Sequence, residues 1–218
     1  MRIKPILFST PMVQAILDGR KTMTRRVVKF PRYIRDDGER LILLEDGGGY
    51  SDDWTIKSLL ANGHMSQPYS PSDILWVRET WCNINKPEFA PEYYYKADAI
   101  NAEDYDSTEW KWRPSIFMPR ESARTWLRVT DVRVERVQDI TENDAMAEGC
   151  SGVVCEHSNS INGGCSDCMN TGWLEPPELE FMDLWECLNA KRGYGWHTNP
   201  WVWVISFERC GKPKEVAP

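Results

Sequence analysis

The apolar residues fall into short runs of two different periods. Ile6-Leu7-Phe8 predicts a strand, and Met12, Ala15 and Ile16 then recur at helical spacing. Ser9 or Thr10 suits the cap of that helix, Pro11 its first position and Gly19 its end. Thr22 to Val28 predicts a strand carrying Arg25 and Arg26. Residues 36–72 are rich in Gly, Asp, Ser and Pro and predict a loop or insertion, with Leu41–Leu44 suited to a hairpin arm. After the turn Pro71-Ser72-Asp73, the run from Ile74 to Trp81 predicts a clear strand. Residues 82–113 form an acidic, aromatic insertion in which Tyr93-Tyr94-Tyr95 suits a paired strand. From Arg124 to Val137, Trp126, Arg128, Thr130 and Val132 alternate with Leu127, Val129, Asp131 and Arg133, which predicts a long strand. Thr141 caps a short helix, with Asp144 at the capping-box position and Gly149 at the end. Residues 150–172 read as a separate Cys-rich loop, Leu179 to Leu188 as an amphipathic helix ended near Gly193, and Pro200 to Phe207 as the closing strand. Strands dominate and the helices are short and scattered. The pattern predicts one α+β domain over 1–218, a small, partly closed β-barrel with flanking helices and insertions at 36–72, 82–113 and 150–172.

No apolar run approaches the roughly 18 residues needed to span a bilayer. Pro5 and Pro11 interrupt the first apolar patch, and no small-residue cleavage site follows, so a cytoplasmic protein without membrane partners is expected. The net charge of −7 argues against coating of long nucleic acid, but it conceals local imbalance. Residues 1–40 carry 10 basic and 4 acidic side chains, whereas the acid lies in 41–110 and in the C-terminal third. A solvated basic face and a phosphate-binding surface both fit that distribution. Eleven tryptophans suit either the core or base stacking. Trp76, Trp201 and Trp203 lie in strand-like runs and are expected in the core, while Trp110 and Trp112 flank Lys111 and suit a nucleotide-facing loop.

The densest chemistry lies in Gly19-Arg20-Lys21-Thr22-Met23-Thr24-Arg25-Arg26. Strand alternation puts Thr22, Thr24 and Arg26 on one face and Met23 and Arg25 on the other. Lys21 sits at the corner between helix and strand. Among Arg20, Arg25 and Arg26 its protonated form is disfavoured, and a neutral lysine can serve as base toward the Thr24 hydroxyl. The alternative is a basic strand edge built from ordinary β-formers.

The segments STPMVQAILDGRKTMTRR, SDILWVRETW, RTWLRVTDVRVERVQDIT with ENDAMAEG, and WVWVISF resemble the ASCH family, whose fold is similar to the PUA barrel. The Gly-x-Lys-Thr-x-Thr-x-Arg pattern is the most specific part, and the flavour is that of phage and prophage members. The resemblance extends to bacterial N4-acetylcytidine amidohydrolases. It implies Lys21 as base, Thr24 as nucleophile and Glu148 as the acid or water-activating group. Arg20, Arg25 and Arg26 of the motif are candidate binding residues, as are Arg78 and Glu79, which point to opposite faces of their strand; Glu79 competes with Glu148, and a salt bridge from Arg78 or Glu79 to neighbouring strands is the alternative. Arg25 departs from the family pattern, which has an apolar residue there. The resemblance also implies a modified nucleoside or single-stranded RNA as partner. The alternatives are a non-catalytic RNA-binding module and a metal-independent ribonuclease.

Cys150-x4-Cys155-x9-Cys165-x2-Cys168, with His157 between, is the second constellation. The Cys165–Cys168 spacing suits a metal knuckle, and Gly163, Gly164 and Gly172 supply tight turns. Four thiolates, or three with His157, would complete a structural zinc site. Free thiols are the alternative, and disulfides rank last. Catalysis needs no cofactor in this reading.

Overall fold

The computed structural model describes residues 1–36, 41–44, 50–84, 92–98, 111–154 and 173–213. Strand β1 (Ile3–Leu7) leads into helix α1 (Thr10–Leu17) and back to β2 (Met23–Val27). A meander of β3 (Ile34–Asp36), β4 (Leu41–Leu44) and β5 (Tyr50–Trp54) follows, with helix α2 (Ile56–Ala61) behind it. Next come β6 (Ile74–Arg78), the hairpin β7 (Trp81–Ile84) and β8 (Glu92–Tyr95), and the long β9 (Trp126–Arg136). Helix α3 (Glu142–Ala147), the short pair β10 (Val153–Val154) and β11 (Trp173–Glu175), helix α4 (Pro177–Asn189) and β12 (Trp201–Cys210) complete the chain.

The architecture is the mixed α+β plan expected from the sequence. A five-stranded sheet runs in the order β1–β6–β9–β12–β2, with β1 and β6 parallel and the other neighbours antiparallel. No backbone pairing joins the edge strands β1 and β2 among the described residues. A side chain spans that side instead: Arg26 Nη2 donates to the Leu7 carbonyl at 2.8 Å.

The continuous apolar run of β12 follows from burial on both faces. Trp203, Ile205 and Phe207 join the large core beneath α1, with Ile6, Val13, Ile16 and Leu127. Val202 and Val204 face a second core with Met23, Phe181 and Trp185. The basic motif that runs into β2 therefore lies where two cores meet. Arg25 Nη1 donates to the Met23 sulfur at 3.5 Å, as the alternation predicts, and Arg26 lies over the Phe8 ring, where Lys21 also reaches from the corner that precedes the strand.

Three local expectations change. Much of the segment expected to be loop at 36–72 is instead the β3–β4–β5 meander and α2. Ile34, Leu41, Leu43, Ile56 and Leu59 bury into the main core, a contribution masked by the Gly/Asp-rich composition around them. The strand starting at Ile74 ends at Arg78, and Trp81 begins a hairpin with the three tyrosines. Thr141 does cap α3, accepting from the Asp144 N–H at 3.2 Å, but the Asp144 carboxylate turns away to two arginines.

Candidate active site

Three backbone contacts bring the motif, α1 and the end of α3 together. The Lys21 N–H donates to the Ala15 carbonyl at 2.9 Å, and the Thr22 N–H to the Ala147 carbonyl at 2.8 Å. Gly149 supplies the third. Its φ of +98° is a left-handed conformation, and an added Cβ would lie 3.1 Å from Ala15 Cβ and 3.4 Å from Lys21 Cβ. Glycine at 149 therefore lets the C-terminus of α3 turn against Lys21, which sets Glu148 beside the motif.

The resulting contact is a buried ion pair. Lys21 Nζ donates to Glu148 Oε2 at 2.5 Å and to the Glu148 carbonyl at 2.7 Å. Lys21 is only 2% exposed and Glu148 4%. Burial holds the Lys21 pKa below the ordinary lysine value, although Glu148 pulls it upward. Arg25 extends the network. Its Nη1 lies 3.4 Å from Glu148 Oε1, and its Nη2 donates to Glu135 at 2.5 Å and to Asp144 at 2.7 Å. Arg133 closes the array on Glu135 and Asp144. Lys21, Arg25 and Arg133 thus face Glu148, Glu135 and Asp144, a balanced set in which a buried cation keeps its partners.

A cleft of about 480 Å³ opens beside this network. Thr24, itself 1% exposed, and Glu148 both line it. Lys21 does not reach the wall; it stands behind Glu148. Phe8, Phe181 and Trp185 supply aromatic surface, and Ser9, Thr80, Ser115 and Asn189 supply polar groups. The Trp185 indole N–H is bonded to the Tyr194 carbonyl at 2.9 Å. Such a volume, mostly apolar with a few convergent polar groups, suits a small organic ligand.

Other candidate residues lie elsewhere. Arg20 is exposed, pairing with Asp18 at 3.0 Å and donating to the Gly149 carbonyl. Arg78 stacks over Trp76 and donates to the Met118 carbonyl. Glu79 is buried against Arg124, which also holds Asp98, and its pKa is raised by burial despite Arg124. None of these three lines the cleft; Arg78 ends β6 and Glu79 follows it. Trp110 lies outside the described residues, and Trp112 is not on the cleft wall.

Cys150 is buried in the second core, and burial pushes its thiol up to about 12. The other candidate zinc ligands are Cys155, Cys165, Cys168 and His157. Those four lie outside the described residues.

Sequence reasoning missed the α4 wall. Phe181, Leu184, Trp185 and Leu188 recur at i, i+3, i+4 and i+7, which marks an apolar helix face but not that part of it lines a cleft. Lys29, two residues beyond β2, and Arg192, in the turn after α4, were missed as well.

No family model and no curated protein matches the chain. Among solved structures, it is similar to an ASCH domain from Lactobacillus crispatus JV V101, at 9% identity and a TM-score of 0.39, over 95% of this chain and 79% of that one. It is also similar to a protein of the DUF984 family from Enterococcus faecalis V583, at 10% identity and a TM-score of 0.39, over 96% of this chain and 76% of that one.

Proposed function

We propose that the chain is an ASCH-type protein that takes a cytosine nucleoside, free or in single-stranded RNA, into the cleft and removes an acyl group from its exocyclic amine. The observation that carries this reading is the convergence of Thr24 and Glu148 on one cleft wall with Lys21 buried directly behind Glu148. The sequence resemblance assigns roles to the same three residues.

The chemistry follows from their protonation states. A neutral lysine has two N–H donors and one lone pair. With both N–H groups given to Glu148, the lone pair is left to accept the Thr24 proton. Thr24 Oγ1 then attacks the acyl carbon, Lys21 passes the proton it has taken across its hydrogen bond to Glu148, and Glu148 hands that proton to the exocyclic nitrogen as the acyl–nitrogen bond breaks. Water, deprotonated by the same carboxylate, cleaves the acyl-threonine and restores the hydroxyl. Arg26 reaches the cleft and makes no ion pair among the described residues; Nη1 donates to the Arg25 carbonyl at 3.5 Å and Nη2 to the Leu7 carbonyl, and the N–H groups that remain suit the developing oxyanion. Phe181 and Trp185 offer ring faces to the base.

Incubation with N4-acetylcytidine tests the reading. Release of cytidine and acetate is the expected result. Tight binding of cytosine nucleosides without release would overturn the catalytic reading in favour of a binding module.

A further inference from the structure

The charges along the cleft do not balance once the reacting groups are set aside. Four cations line it, Arg25, Arg26, Lys29 and Arg192, against one carboxylate, Glu148. Arg25 is matched by Glu135 and Asp144, and Glu148 by Lys21. Arg26, Lys29 and Arg192 have no ion pair among the described residues. Burial lowers the Arg26 pKa, Glu148 partly offsets that, and Arg192 lies close enough for its charge to add to the lowering. Placing like charges together is unfavourable unless an anion joins them.

Their depth is also graded. Thr24 and Glu148 are buried, Arg26 is half-buried, and Lys29 and Arg192 are exposed at the mouth. An acylated cytosine and its sugar are neutral: the acyl oxygen meets Arg26, and Lys29 and Arg192 are given no partner. A phosphate would give them one. Arg192 offers a planar fork for phosphate oxygens, and Lys29 a point charge.

We propose that the physiological ligand is a phosphorylated cytosine nucleotide, its base toward Thr24 and its phosphate held at the mouth by Lys29 and Arg192, with Arg26 between. This rests on the assignment of the cleft as a cytosine-nucleoside site and adds the phosphate. The phosphate is either that of a mononucleotide or a phosphodiester of single-stranded RNA.

Calorimetric titration of the full chain with cytidine, cytidine 5′-monophosphate and a cytidine-containing trinucleotide tests it. At low salt the monophosphate should bind about tenfold or more tightly than cytidine, and the gap should narrow as salt rises. Lys29→Ala with Arg192→Ala should abolish most of the preference while leaving cytidine binding unchanged, and Lys29→Arg should retain it. A trinucleotide that binds more tightly than the monophosphate identifies the phosphodiester source; equal binding identifies the mononucleotide. Equal affinity for cytidine and its monophosphate, no binding of either, or a preference that survives the double substitution would overturn the proposal. The hydrolytic reading is scored separately: N4-acetylcytidine turnover without a phosphate preference defeats only the inference, and phosphate preference without turnover defeats only the hydrolase.

Discussion

Lys21 and Glu148, 127 positions apart, meet through two hydrogen bonds at once, one from Nζ to the carboxylate and one from Nζ to the main-chain carbonyl. The amine is therefore oriented by the C-terminal end of α3 as well as by the side chain. That end turns at Gly149, and the Thr141 cap holds the opposite end of the helix. Chemistry on β2 thus depends on a helix that the sequence separates from it by most of the sheet.

The pair is asymmetric. Glu148 has a second cation, Arg25, at 3.4 Å, whereas Lys21 has no second carboxylate in contact among the described residues. Removing Glu148 strands a buried ammonium, which typically costs about 3–5 kcal/mol. Glu148→Gln should therefore lower the urea-unfolding free energy by more than Lys21→Met does. The reverse order would show that Arg25 does not support Glu148.

Gly149 should tolerate no side chain. Its positive φ alone costs an alanine roughly 1–2 kcal/mol, and contact with Ala15 and Lys21 adds to that. Gly149→Ala should lower both Tm and turnover, because displacing α3 moves Glu148. Unchanged turnover at a lowered Tm would separate this glycine from the site.

The pH dependence has a definite sign. Burial lowers the Lys21 pKa in the folded chain, so between the folded and unfolded values the unfolded chain binds more protons. Stability therefore rises with pH across that window. The neutral amine accumulates over the same interval. The rate should climb with pH and level off below the ordinary lysine value of about 10.4, with no accompanying fall in Tm. A rate independent of pH through the alkaline range would contradict a base role for Lys21.

The Cys-rich segment should bring zinc with it. Elemental analysis of protein purified without chelator should find about one zinc per chain, and Cys165→Ser or Cys168→Ser should release it. Metal-free wild-type protein would refute the site.

Local pattern made much of this legible. The alternation of β9, the two-sided apolar run of β12, the Thr141 cap and the face on which Thr24 sits are all properties of neighbours in sequence. What pattern does not contain is the pairing of distant faces. Asp144 carries the spacing of a capping box, yet Arg25 and Arg133 offer its carboxylate charged partners that the Thr141 N–H cannot match. Glu79 reads as a charged residue inside a strand, suited either to the site or to an ion pair, and only the fold names its partner as Arg124. Phe181 and Trp185 read as core because the spacing of a helix face does not say whether protein or a cleft lies against it.

The central claim is that Thr24 is the nucleophile, and the rates of Thr24→Ala and Thr24→Ser on N4-acetylcytidine test it most directly. Loss of the hydroxyl should reduce cytidine release on the order of 10³-fold or more at unchanged stability, and serine, which keeps the hydroxyl, should retain measurable activity. Turnover by Thr24→Ala at a rate close to that of the unaltered protein would contradict it.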